Sequence, residues 1–372
     1  MAEVLVVTWD GGGNVSPALG IAAALVGRGH RVHVLGHEQQ RDAVAGCGLG
    51  FSGFRGAPPW SSARSAPGVR GALELVRMMS SPVYGREVAA AVRSRRPDVV
   101  LVDGLLPSAV AAAVHSDVPT AVLGHTFWQY MRRWARGPVG LAATVRGSPP
   151  ARAWSGAELV LVAADPQLDP AGPGTLPGHV VHTGIVGARP ARPVPTSPPT
   201  VLVSLSTVDF DGQSRALQAI VDGLAALDAR VVVTTGPAVD PGTLQPRANT
   251  ELLRYRSHDE LMPSVSAVVG HGGHGTTMRA LAHGLPLLVL PQHPLLDQPL
   301  IGRAVQRAGA GLLRKRTTPP TDIAAAVHAV LTEPRFRVAA AEIGRRLVAH
   351  DGTLAAVEQL ETLLPREARD PR

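Results

Sequence analysis

Short runs of Val, Leu and Ala recur along this chain, each followed by a segment of helical composition. A first series covers Val4–Thr8, Arg31–Leu35, Val99–Val102, Thr120–Leu123 and Leu159–Val162. A second covers Val201–Leu205, Val231–Thr235, Ala267–Val269 and Leu287–Leu290. Continuous apolar runs of this length, without polar alternation, suit strands buried on both faces. Strands of that kind separated by helices predict a parallel sheet with helices on each side. The pattern occurs twice in 372 residues, so we expect α/β architecture with two Rossmann-like doubly wound domains facing across a cleft.

The boundary is expected in the proline-rich stretch 186–199, which suits neither a regular helix nor a central strand. That gives domains at 1–185 and 200–350 with 186–199 as linker. Helical segments near Ile323–Leu331, Arg337–Ala349 and Leu354–Leu364 close the chain. The last, in 351–372, is expected to pack back toward the N-terminal domain.

Composition removes several classes. At 45% hydrophobic residues the chain can bury a core and is not disordered. Only 3% of residues are aromatic, too few for a surface of stacked rings that would hold single-stranded nucleic acid. The net charge is +7, yet Lys315 is the only lysine among 36 basic residues and the arginines are mostly scattered. That distribution reflects compositional bias more than a nucleic-acid footprint. The single cysteine, Cys47, excludes an intramolecular disulfide and a multi-cysteine metal site. There is no signal-peptide pattern and no apolar run of membrane-spanning length. A cytoplasmic protein without integral membrane association is expected.

The densest chemical signal is Val268-Val269-Gly270-His271-Gly272-Gly273-His274-Gly275-Thr276-Thr277. A buried strand runs into glycines and two threonines, and a helix starts. Glycines let backbone amides approach a ligand, and a helix N-terminus favours an anion such as phosphate. Downstream, a second strand ends at Pro291 and is followed by Asp297 and Gln298, an acid and an amide suited to sugar hydroxyls. A metal site is not expected. His271 and His274 straddle a turn, whereas helical ligand pairs share one face. The glycines at 11–13 are also no dinucleotide fingerprint, because Ser16 and Pro17 stand where Gly or Ala is required.

His-Gly-Gly-x-Gly-Thr-Thr, then Gly-x-Pro-x-x-x-x-Pro and Asp-Gln, resembles the donor signature of family-1 nucleotide-sugar glycosyltransferases of the GT-B fold. Bacterial natural-product members are the most similar in character. The resemblance implies an acceptor domain at 1–185 and a donor domain at 200–350. It implies no cofactor, the nucleoside-diphosphate sugar being a co-substrate. By the same resemblance, His271, Thr276, Thr277 and the amides of Gly273 and Gly275 meet the diphosphate. Ser206 and Thr207 approach it from the loop after the first strand of the second domain. Arg256, within the segment Arg254–His258, lies along the nucleobase, and Asp297 and Gln298 hold the sugar. Two departures are visible. Arg279 stands where an acidic or small residue is common, and Tyr255 replaces a frequent Trp.

An inverting transfer needs a base for the acceptor hydroxyl. In the family this is commonly a His in the loop after the first strand, oriented by an Asp at a later strand end. Here Asn14 falls at the His position, and Asp103 matches the Asp. Three readings stay open: Asp10 is the base; Asp103 or His125 serves; or the protein binds a sugar nucleotide without transferring it. C-glycosyl transfer on the same fold is a further variant. On the acceptor side, Trp60, Met79, Phe127, Trp128 and Met131, with Asn14, gather in the first domain and would suit a hydrophobic small molecule. The same residues equally suit a core. A homodimer is compatible with this reading.

Overall fold

A computed structural model describes residues 1–58, 60–63, 68–187, 190, 193–194 and 196–365. Of the expected linker, residues 188–189, 191–192 and 195 lie outside the described residues. The chain forms two compact units. The first holds residues 1–61, 66–187 and 351–372, and the second holds 62–65 and 188–350.

The first unit contains seven strands: β1 (Glu3–Val7), β2 (Arg31–Gly36), β3 (Gly50–Gly53), β4 (Val99–Asp103), β5 (Thr120–Gly124), β6 (Leu159–Val162) and β7 (Val180–His182). All pair in parallel, in the order β3-β2-β1-β4-β5-β6-β7. The order reverses between β1 and β4. At such a switch point the loops leave in opposite directions and open a crevice at the carboxyl ends.

The second unit repeats the plan with six strands: β8 (Thr200–Ser204), β9 (Arg230–Thr234), β10 (Thr250–Leu253), β11 (Ala267–Gly270), β12 (Leu287–Val289) and β13 (Gly311–Leu313). Their order is β10-β9-β8-β11-β12-β13, again all parallel, with the switch point between β8 and β11.

Each unit has its own core. In the first, Val4, Val6, Val34, Leu101 and Leu123 pack under the helix Val15–Gly27. The terminal helix Gly352–Glu361 joins that core through Ala356, Val357 and Leu360, with Leu364 just beyond. Glu361 fixes it in place. Its carboxylate accepts two hydrogen bonds from Arg28, both 2.7 Å, and lies 3.1 Å from His30 Nε2. In the second unit, Val201, Val203, Val231, Val233 and Val269 meet Leu217, Ile220 and Val327 from flanking helices. Among the described residues, no helix is long and apolar enough to cross a membrane.

Candidate active site

In the second unit, β11 ends at Gly270 and the helix His274–Ala282 begins four residues later. Gly272 turns the chain at φ +83°, where a Cβ would stand 2.8 Å from both the Gln298 carbonyl and Val289. Gly273 is the N-cap. It supplies no side-chain cap, and the first turn carries no acid. The exposed amide end of this helix thus keeps its positive potential for a ligand. At Gly273 a Cβ would lie 2.2 Å from His271 Nε2, so the glycine lets the imidazole fold over the turn. At Gly275 a Cβ would meet nothing within 4 Å. The protein's own packing does not require that glycine.

His271 is buried, and burial, opposed by a hydrogen bond to the Ser204 backbone, lowers its pKa to about 4. The ring is neutral near pH 7 and meets an anion as a hydrogen-bond partner, not as a cation. His258, read from sequence only as the end of the nucleobase-side segment, belongs to the same cluster. Its Nε2 lies 3.1 Å from Ser204 Oγ, and burial beside Arg279 lowers it to about 4 as well. No spacing rule links His258 to His271; the adjacency of β8 and β11 does. Arg279 pairs with Asp259 at 3.1 Å.

The other expected donor residues divide. Thr276 is half-buried and Thr277 buried, both within the first turn of the helix. Ser206 is buried and structural: its Oγ accepts from Val208 N and its carbonyl from Gln213 Nε2. Thr207 and Arg256 are exposed. Asp297 is the N-cap of the helix Gln298–Arg307 but makes no capping bond with its side chain. Gln298 is buried, and its Oε1 accepts from the amides of Gln292 (2.7 Å) and His293 (3.0 Å). That oxygen pins the loop, so a ligand would meet this side chain only through its Nε2.

The first unit concentrates polar groups at its own switch point. Asn14 Nδ2 donates to Asp103 Oδ2 (2.9 Å), to the Trp9 carbonyl (2.9 Å) and to Thr8 Oγ1 (3.3 Å). Asn14 Oδ1 accepts from Gly11 N. The fully buried Asp103 carboxylate also accepts from Leu105 N at 2.9 Å, and its Oδ2 stands 3.2 Å from His125 Nδ1. The His125 side chain is 14% exposed. This proximity follows from the sheet: β4 and β5 pair with Asp103 opposite Leu123, two residues before His125. Asn14 therefore holds the carboxylate, the imidazole lies 3.2 Å from it, and the imidazole keeps an accessible edge.

Asp10 sits beside this array with its backbone clamped. Its N–H donates to His37 Nδ1 (3.1 Å), and its carbonyl accepts from Trp60 Nε1 (2.6 Å). Trp60 packs 6.3 Å from Trp9, ring to ring, and stabilises the glycine loop. The remaining expected acceptor residues are buried. Met79, Phe127, Trp128 and Met131 are each less than 9% exposed. Met131 fills the space over Gly104 and Gly124, and Trp128 packs on Trp154 at 5.5 Å. They are interior residues of the first unit. An aromatic cluster in sequence has the same appearance whether it lines a pocket or fills a core.

Residues 218–363 match the family described as Erythromycin biosynthesis protein CIII-like, C-terminal domain. The 4'-demethylrebeccamycin synthase of Lentzea aerocolonigenes is 40% identical over 168 residues, 45% of this chain and 38% of that protein. The chain thus aligns with well under half the length of that relative. Among solved structures, the glycosyltransferase of kitacinnamycin superposes with TM-score 0.80 at 24% identity, covering 98% of this chain and 99% of that one. VinC in complex with dTDP superposes with TM-score 0.74 at 21% identity, covering 97% and 99%. The chain has the GT-B fold, and part of it is similar in sequence to bacterial natural-product glycosyltransferases. The signature at 270–277 lies in the matched segment, on the turn from β11 into the helix His274–Ala282. The dyad of Asp103 and His125 lies outside that segment, in the other GT-B unit.

Proposed function

We propose that this protein is an inverting glycosyltransferase. It moves a sugar from a dTDP- or UDP-linked donor to a hydroxyl of a small hydrophobic natural product, without a metal ion. The first unit binds the acceptor and the second the donor. The observation that carries the reading is the His125–Asp103 pair held by Asn14, which supplies a base where the usual histidine is missing. A binding protein without transfer activity has no use for an accessible imidazole beside a buried carboxylate, so we favour transfer over binding alone. The similarity to 4'-demethylrebeccamycin synthase and to a dTDP-bound structure supports the acceptor class and the nucleotide.

In this mechanism His125 takes the proton of the acceptor hydroxyl as its oxygen attacks the anomeric carbon. Asp103 stabilises the imidazolium that forms. The bond between the anomeric carbon and the phosphate oxygen breaks with inversion. The diphosphate carries the electron pair away and is stabilised by the amides at Gly273 and Gly275, the Thr276 hydroxyl and His271. Asp297 and the Gln298 amide orient the sugar.

The test compares His125→Gln with the native protein for dTDP and UDP binding and for transfer to a panel of hydrophobic aromatic and polyketide acceptors. Retained nucleotide binding with transfer reduced by about 10²–10⁴ supports the assignment. Transfer that survives the substitution refutes it.

A further inference from the structure

A second candidate binding site lies in the second unit, beyond the glycine-rich turn after β11. The loops after β12 and β13 border an open cleft of about 710 Å³, within the usual small-ligand range of about 300–1,000 Å³. Pro291, Pro294, Pro299 and Leu313 give it flat aliphatic walls. Arg314, Lys315 and Arg316 give it three consecutive cations, and no Asp or Glu is among its lining residues.

Those cations are not neutralised by the protein. Arg314 Nη1 donates to the Leu313 carbonyl at 3.0 Å and Arg316 Nη1 to the Asp211 carbonyl at 2.5 Å. Among the described residues none of the three forms an ion pair with a carboxylate. The Asp211 contact fixes the Arg316 guanidinium with donors to spare. A second observation is independent of charge. Gln292 is 4% exposed and lines the cleft. Its Nε2 donates to the Leu290 carbonyl at 2.7 Å, which fixes the amide orientation, and its buried Oε1 has no partner. An unmet buried acceptor is costly and calls for a donor.

We infer that this cleft binds a hydroxylated organic acid, such as a sugar acid. Its carboxylate meets Arg314, Lys315 and Arg316, a hydroxyl donates to Gln292 Oε1, and its aliphatic face rests on the prolines. Arginine forks match a carboxylate in geometry as well as charge. The acid has two possible sources: the sugar of a nucleotide donor, or a separate molecule. The site stands on the second unit alone and does not depend on transfer activity.

Glucuronate and glucose are titrated into the full chain, with and without saturating UDP, by saturation-transfer NMR. Glucuronate is expected to bind at least about tenfold more tightly than glucose. The Arg314→Ala/Lys315→Ala double variant abolishes the difference, and Gln292→Leu weakens glucuronate severalfold. If the acid belongs to the donor sugar, UDP-glucuronate binds about tenfold more tightly than UDP-glucose to the native chain and equally to the double variant. If it is a separate molecule, free glucuronate binds equally with UDP present. Either result supports the site. Glucuronate binding no better than glucose overturns it, as does binding unchanged in the double variant. Loss of binding in His271→Ala with retention in the double variant would place the acid on the glycine-rich turn after β11 and also overturns it. UDP affinity, measured in the same titrations, separately tests the donor reading.

Discussion

Replacing Asp103 with Asn gives the sharpest test of the proposed base. The carboxylate is fully buried and stands 3.2 Å from His125 Nδ1. When His125 accepts the acceptor proton, a positive charge develops against that carboxylate. At an effective dielectric constant of about 20, a full charge pair at this distance is worth about 5 kcal/mol. With roughly half the charge transferred in the transition state, about 2–3 kcal/mol is lost on neutralising Asp103, or about 10² in kcat/KM. The amide also sets an N–H₂ against either Asn14 Nδ2 or Leu105 N, where the carboxylate now accepts from both. That clash costs about 1–3 kcal/mol of stability, so Tm must be recorded beside the rate. The assay is steady-state transfer with saturating donor, plus dTDP affinity by calorimetry. The expected result is a loss of about 10² in kcat/KM with dTDP affinity within about twofold. An Asp103→Asn protein that stays folded, binds dTDP and transfers within about threefold of native would refute the electrostatic argument.

Further outcomes follow from the same structure. Gly275→Ala should leave Tm unchanged, because its Cβ meets no protein atom, yet should weaken dTDP about tenfold through the amide end it obstructs. Equal affinity would mean that no ligand approaches there. Gly273→Ala should weaken dTDP and also lower Tm, since its Cβ collides with His271. Burial lowers His37, His258 and His271 from 6.5 to about 4, so between those values the unfolded chain binds more protons. Stability is then complete above about 6.5 and falls as the pH drops toward about 4. A Tm that stays flat across that window would contradict the burial. Glu361→Ala should lower Tm by about 2–10 °C, as Arg28 and the buried His30 lose their shared acceptor. Scanning calorimetry measures this directly.

The strands that the sequence announced are the central ones. Val4–Val7, Val99–Asp103, Val201–Ser204 and Val231–Thr234 are buried on both faces and write that burial as unbroken apolar runs. The strands without such a signature are β3, β7, β10 and β13, and these are the four sheet edges. Each is short and partly exposed, and Gly50, Gly53 and Gly311 contribute no side chain to a pattern. The glycine-rich turn after β11 was legible because glycine, histidine and threonine are contiguous there. The helix nevertheless begins at His274, so both threonines fall inside its first turn. His125 could be nominated from its strand end, but not paired. Its 3.2 Å approach to Asp103 depends on β4 lying next to β5, which no local spacing encodes. The role of the aromatic cluster near Trp128 was not legible, because burial inside a domain and burial against a ligand select the same side chains.

The return of the helix Gly352–Glu361 to the first unit has a consequence for how the chain is made. The core around Val4, Leu101 and Leu123 also needs Ala356, Val357 and Leu360, which the ribosome delivers more than two hundred residues after Leu123. Apart from residues 62–65, the second unit lies between them, at 188–350, and can close while synthesis continues. The first unit must wait, with one face of the helix Val15–Gly27 uncovered, until the final helix leaves the exit tunnel. During synthesis the apolar face of the helix Val15–Gly27 therefore stays exposed longer than the core of the second unit, which gives a holding chaperone time to act there.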